Sequence, residues 1–173
     1  PIVLFPGDYS QVTNNADGLL FLSLLSGRNP EYLIEQQIKA VPFLKNSNIE
    51  IIPTGYILID GGTNSSVLKI SKTTAIPQNN IDLAVSTAVA GMYKGKQLIY
   101  LEAGSGAKFP VNSKLISEVK KYINIPLIVG GGIKTKEQLN AAYNNGADLV
   151  VIGTALEEDD SFFEQLKQEH WIK

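Results

Sequence analysis

Apolar residues in this chain gather into short, nearly continuous runs. Runs at 2–5, 17–25, 50–59, 97–102, 126–129 and 148–152 are rich in Val, Ile and Leu. Strands buried on both faces have that pattern. Between the runs the apolar positions spread to helical spacing. Helices are expected over 30–44, with Pro30 in the first turn, over 80–93 and over 112–122. TKEQL opens a further helix, with Thr135 as N-cap and Gln138 completing a capping box, and the NNG at 144–146 ends it. A last helix is expected over 157–168.

Alternating strands and helices predict a parallel α/β sheet in a single domain spanning 1–173. Two connections break the rhythm. PGDYSQVTNNA, residues 6–16, is too short for a full crossover helix with its turns. Residues 61–77 make an unusually long strand-to-helix passage, the kind of segment that forms lids or substrate walls. The chain opens on PIVLFPG, a buried-strand pattern from its second residue, and the expectation is that it is the C-terminal part of a longer one.

Composition narrows the function. Hydrophobic residues make up 44% of the 173 residues, and 15 basic against 17 acidic residues leave a net charge of −2. This argues against a nucleic-acid or anionic-membrane surface as the main partner. There is no cysteine, so disulfides, thiolate catalysis and cysteine-bound metals are excluded, and an intracellular setting is allowed. No apolar run approaches a membrane span of about 20 residues.

Three glycine-rich stretches follow apolar runs: EAGSGA after the fourth, GGGI (130–133) after the fifth and GTAL (153–156) after the sixth. In a parallel sheet all three fall at the C-terminal strand edge, where α/β active sites lie. Glycine there lets backbone N–H groups approach an anion. Each stretch alone also fits an ordinary turn; their adjacency favours a phosphate site. Glu102 ends the apolar LIYL run and stands against the GSGA loop. A carboxylate there suits a substrate hydroxyl that it binds and deprotonates, though it also fits a cap partner or a solvated side chain. Tyr100 shares its strand face and is either a ligand contact or core. Lys108 is a possible anion contact or simply solvated. The only histidine, His170, lies near the C-terminus, which disfavours histidine catalysis.

YLEAGSGA, LIVGGGIKT and GADLVVIGTALEED, with FPGDYSQVT and ADGLLFLSLLSGRNP upstream, resemble the geranylgeranylglyceryl phosphate synthases and their PcrB-like relatives along essentially the whole chain. The resemblance implies a modified (β/α)8 TIM barrel lacking one helix near its third strand. This chain would supply strands three to eight, with the first two β/α units absent. It implies prenyl transfer: a hydroxyl of sn-glycerol 1-phosphate attacks the allylic carbon of geranylgeranyl diphosphate, in ether lipid synthesis. Glu102 would be the base. Tyr100, Leu101, Ala103 and the loop Gly104, Ser105 and Gly106 would bind substrate, the loop and Tyr100 orienting the glycerol. Gly130, Gly131, Gly132, Gly153 and Thr154 would hold the phosphate. Leu22, Leu24, Tyr56 and residues 61–77 are candidates for the prenyl groove. Mg2+ is the implied cofactor, with its aspartate on the absent first strand and no metal ligand in this chain. A cytoplasmic homo-oligomer, a dimer or a hexamer, is implied, with peripheral membrane contact through the lipid substrate. A heptaprenylglyceryl phosphate synthase, another phosphate-binding barrel such as a flavin oxidoreductase or isomerase, and a non-catalytic phosphate- or lipid-binding domain remain alternatives.

Overall fold

The structure, a computed structural model, describes residues 1–63, 70–158, 162, 164, 166 and 167. Six strands form one parallel sheet in chain order: β1 Val3–Leu4, β2 Gly18–Leu24, β3 Glu50–Leu58, β4 Leu98–Glu102, β5 Leu127–Gly130 and β6 Leu149–Val151. Every bound lies within one residue of the sequence expectation. The two-residue side-chain period splits the sheet into two faces. Outward residues, among them Ile57, Ile99, Leu101 and Val129, pack against the helices in one large core. Inward residues stack in layers, as they do inside a barrel. One layer is set by the register Leu24–Tyr56–Tyr100–Ile128. The next, nearer the C-terminal edge, is Leu58–Glu102–Gly130–Val151. The sheet is six strands of the expected (β/α)8 barrel.

Three of the helices begin within one residue of the expected position. Helix α1 covers Gln36–Leu44, α2 Ile81–Tyr93, α3 Ser113–Tyr122, α4 Lys136–Asn144 and α5 Thr154–Glu158. The Asn80 side chain accepts from Leu83 N–H and that of Asn112 from Lys114 N–H. Thr135 and Gln138 close the capping box. Two helices depart from expectation. The first turn of the helix expected over 30–44 is a π-helix, Glu31–Glu35, in which Gln36 N–H donates to Glu31 C=O; apolar periodicity does not distinguish such a turn. Helix α5 begins at Thr154 rather than 157, because Gly153 C=O accepts from Leu156 N–H at 2.8 Å and so starts the helical ladder early. Of the remainder of the helix expected to 168, Phe162 and Leu166 are buried, and residues 159–161, 163, 165 and 168 lie outside the described residues, as does His170.

Between β1 and β2 only a 3-10 turn, Tyr9–Gln11, is present, capped by Asp8, so this connection carries no α-helix, as its length required. The passage 61–77 rejoins the sheet through a parallel bridge between Ile59 and Ile76; residues 64–69 of it lie outside the described residues. Among the described residues no helix is long and apolar enough to cross a membrane.

Candidate active site at the C-terminal strand edge

The register puts Glu102 at the last inward position of β4, with Leu58 and Gly130 as its ladder neighbours. Gly130 has no side chain, and that absence makes room. A Cβ there would strike the Tyr100 hydroxyl and come within 3.0 Å of Glu102 Oε2. Glu102 is only 6% exposed. Its Oε1 accepts from Gly104 N–H at 2.6 Å, which fixes the carboxylate against the loop that follows. Burial raises its pKa above the ordinary carboxylate value, partly opposed by the nearby Tyr100 hydroxyl and by the Gly104 N–H.

Tyr100 lies one layer below, 1% exposed. Burial and then the Glu102 charge hold its phenol well above the usual tyrosine range. The hydroxyl sits close enough to Glu102 to influence its proton affinity, yet makes no hydrogen bond of good geometry. It is a buried polar group with spare capacity, which native proteins rarely leave without a use.

A cavity of about 260 Å³ opens above these two residues. Its walls include Gly104, Ser105 and Gly106 after β4, Gly131 and Gly132 after β5, and Gly153 and Thr154 after β6. Three strand ends therefore converge as the spacing predicted. Gly131 and Gly132 have φ of +83° and +71°, a left-handed backbone that favours glycine. A Cβ on Gly131 would lie 2.5 Å from Glu102 Oε1 and 2.6 Å from Gly104 N. The Thr154 hydroxyl accepts from Gly106 N–H at 3.2 Å and lies 3.4 Å from Ser105 Oγ, tying the β4 loop to the start of α5.

Three expected residues do not line this cavity. Leu101 and Ala103 belong to the helix-facing core, because they alternate with Tyr100 and Glu102 along β4. Gly130 stands behind Tyr100 and Glu102, its C=O taken by Ala103 N–H at 2.9 Å; it provides space rather than an exposed donor. Lys108 is also elsewhere, its ammonium 5.1 Å from the Phe109 ring centre. Among the described residues the cation lining the cavity is Lys134. Sequence reasoning passed over it, although it follows GGGI directly at the same strand edge.

A second cavity of about 300 Å³ adjoins the first. It is walled by apolar side chains, including Leu20, Leu22, Leu24 and Tyr32, and by the short β1–β2 connection from Pro6 to Tyr9. Ile70, within the long passage after β3, also contributes. Phe5 and Tyr56 line both cavities. Phe5, Tyr56 and Tyr100 form an aromatic trio with ring centres 5.3–5.6 Å apart. A deep carboxylate, glycine turns beside a lysine, and an adjoining oily chamber can together hold an anionic polar molecule against a long apolar one.

Comparison with known proteins agrees with this architecture. The profile of the PcrB family matches residues 1–170. A geranylgeranylglyceryl phosphate synthase from Zunongwangia profunda is 63% identical over 160 residues, 92% of this chain and 68% of the relative. One from Thermococcus kodakarensis is 43% identical, covering 93% of this chain and 63% of the relative. The crystal structure of (S)-3-O-geranylgeranylglyceryl phosphate synthase from Thermoplasma acidophilum in complex with substrate sn-glycerol-1-phosphate superposes with a TM-score of 0.88 at 38% identity. It is matched over 95% of this chain and 66% of that one. The chain thus spans about two thirds of the length of these relatives. On the family profile and on these identities, this chain belongs to the PcrB family.

Proposed function

We propose that this chain carries the acceptor site of a prenyltransferase. It joins sn-glycerol 1-phosphate to a long prenyl diphosphate, geranylgeranyl diphosphate first among them, and forms an ether bond. The observation that carries the reading is Glu102, a nearly buried carboxylate fixed by the Gly104 N–H at the floor of a glycine-walled cavity that adjoins an apolar one. The glycerol phosphate occupies the polar cavity, its phosphate held by backbone N–H groups of Gly131, Gly132 and Gly153, the Thr154 hydroxyl and Lys134. Its hydroxyl lies on Glu102, which accepts the proton as the oxygen attacks the prenyl carbon. The raised pKa of this carboxylate makes it a stronger base than an exposed glutamate. Tyr100 orients the same hydroxyl. The prenyl tail lies in the apolar cavity.

Magnesium is the expected partner of the diphosphate. Among the described residues no three His, Cys, Asp or Glu side chains come together as a metal site. These residues do not by themselves fit the ion, so no step is assigned to it. A cytoplasmic homo-oligomer, a dimer or a hexamer, that meets the membrane through its lipid substrate belongs to the same proposal.

The test is transfer of radiolabelled sn-glycerol 1-phosphate into an organic-soluble product by the full-length protein, with magnesium and prenyl diphosphates of graded length. Product formation supports the reading and the best chain length identifies the donor. No product with any donor, or a flavin absorbance band in the purified protein, overturns it.

A further inference from the structure

The two cavities meet at a ring pair. Phe5 and Tyr56 are the aromatic residues that line both, with ring centres 5.6 Å apart and planes inclined at 57°. Tyr100 closes the group from the polar side, 5.3 Å from each. Under the function proposed above, on which this inference rests, the prenyl tail fills the apolar cavity while the attacked carbon must reach a hydroxyl held by Glu102. Among the described residues both conditions hold at the seam between the cavities, against Phe5 and Tyr56.

We infer that Phe5 and Tyr56 are catalytic residues whose ring faces contact the allylic carbon and stabilise the positive charge that develops on it. The C–O bond to the diphosphate breaks, and its electron pair leaves with the diphosphate. A lone pair of the glycerol hydroxyl forms the new C–O bond, and the hydroxyl proton passes to Glu102. Charge on the carbon is greatest between these events. Glu102 is the only carboxylate lining the polar cavity among the described residues, and it ends the step neutral. Asp8 lines the apolar cavity and not the polar one, and its Oδ1 accepts from Ser10 N–H at 2.7 Å and from the Ser10 hydroxyl at 2.6 Å. Aromatic faces remain. A ring attracts a cation within about 6 Å of its centre and offers no lone pair that the cation can alkylate readily. Tyr56, which is buried, also keeps water from this point, where it would capture the cation and release a prenyl alcohol.

The test replaces Phe5 in the full-length protein with 4-fluoro-, 3,5-difluoro- and 3,4,5-trifluorophenylalanine. These keep ring size and drain charge from the ring face stepwise. The expected result is a graded fall in kcat, about 10–30-fold across the series. The KM for glycerol phosphate and the melting temperature should stay unchanged. Tyr56→Phe should retain most of the turnover, whereas Tyr56→Leu should lose it and release more prenyl alcohol. A flat fluorine series in an active enzyme overturns the inference alone and leaves the rings as packing. An unmodified protein that transfers no prenyl chain overturns the proposed function and this inference together.

Discussion

Gly131 and Gly153 both line the polar cavity, but alanine should affect them in opposite ways. At Gly131 the backbone has φ +83°, and a Cβ would lie 2.5 Å from Glu102 Oε1 and 2.6 Å from Gly104 N. Left-handed backbone costs a non-glycine residue about 1–2 kcal/mol. Forcing a methyl into a filled site costs about 1–3 kcal/mol more. Gly131→Ala should therefore destabilise the fold by about 2–5 kcal/mol. For a chain of this size that corresponds to a fall of roughly 4–20 °C in melting temperature. At Gly153 nothing lies within 4 Å of the added Cβ, and φ is not in the left-handed region. Its stability should change by no more than about 0.5 kcal/mol. The new methyl enters the cavity instead, and crowding worth about 1–3 kcal/mol should weaken sn-glycerol 1-phosphate by roughly 5–150-fold. Thermal melts followed by circular dichroism, with titration calorimetry of the ligand, separate the two effects. A Gly131→Ala protein that melts like the parent would refute the close-packing argument. A Gly153→Ala protein that binds the ligand normally would refute the placement of the phosphate.

Further expectations concern the charged and polar groups of the site. Glu102→Gln keeps an acceptor for Gly104 N–H but removes the base, and should lower kcat by about 10²–10⁴-fold. Because burial raises the Glu102 pKa, the folded chain binds more protons than the unfolded one between the ordinary and the raised values, and stability falls as pH rises through that window. Glu102→Gln should therefore melt higher than the parent above the window and lose that advantage below it; a gain independent of pH would contradict the burial argument. Tyr100→Phe removes a buried hydroxyl that lacks a partner, so melting should hold or rise while glycerol phosphate binds more weakly; a destabilised variant would show that the hydroxyl is already bonded. Lys134→Ala should raise the KM for glycerol phosphate with kcat nearly unchanged, and equal KM values would remove this lysine from the phosphate site.

The strands were legible because Val, Ile and Leu runs bounded by glycine and proline have few other homes in a chain of this composition. The cap of α4 was legible because Thr135 and Gln138 satisfy specific backbone donors in a capping box, whereas the Asn80 and Asn112 caps emerge only in the structure. Three things were hidden. A contiguous motif such as YLEAGSGA looks like one functional unit, but its strand half alternates, so Leu101 and Ala103 turn toward the helices while Tyr100 and Glu102 turn inward; the two-residue period was available to separate them. Gly130 read as a phosphate donor because sequence does not show which glycine is exposed and which makes room for its neighbours. The seam at Phe5 depends on register across three strands, which no local pattern encodes.

The short β1–β2 connection has an evolutionary consequence. One wall of the apolar cavity is built from Pro6, Gly7, Asp8 and Tyr9, a turn outside the sheet ladder, whereas the polar cavity is built on strand ends and the turns that follow them. Insertions and deletions in a turn disturb few shared hydrogen bonds. Changes of length in this turn can therefore reshape the oily chamber without dismantling the glycine-walled cavity beside it.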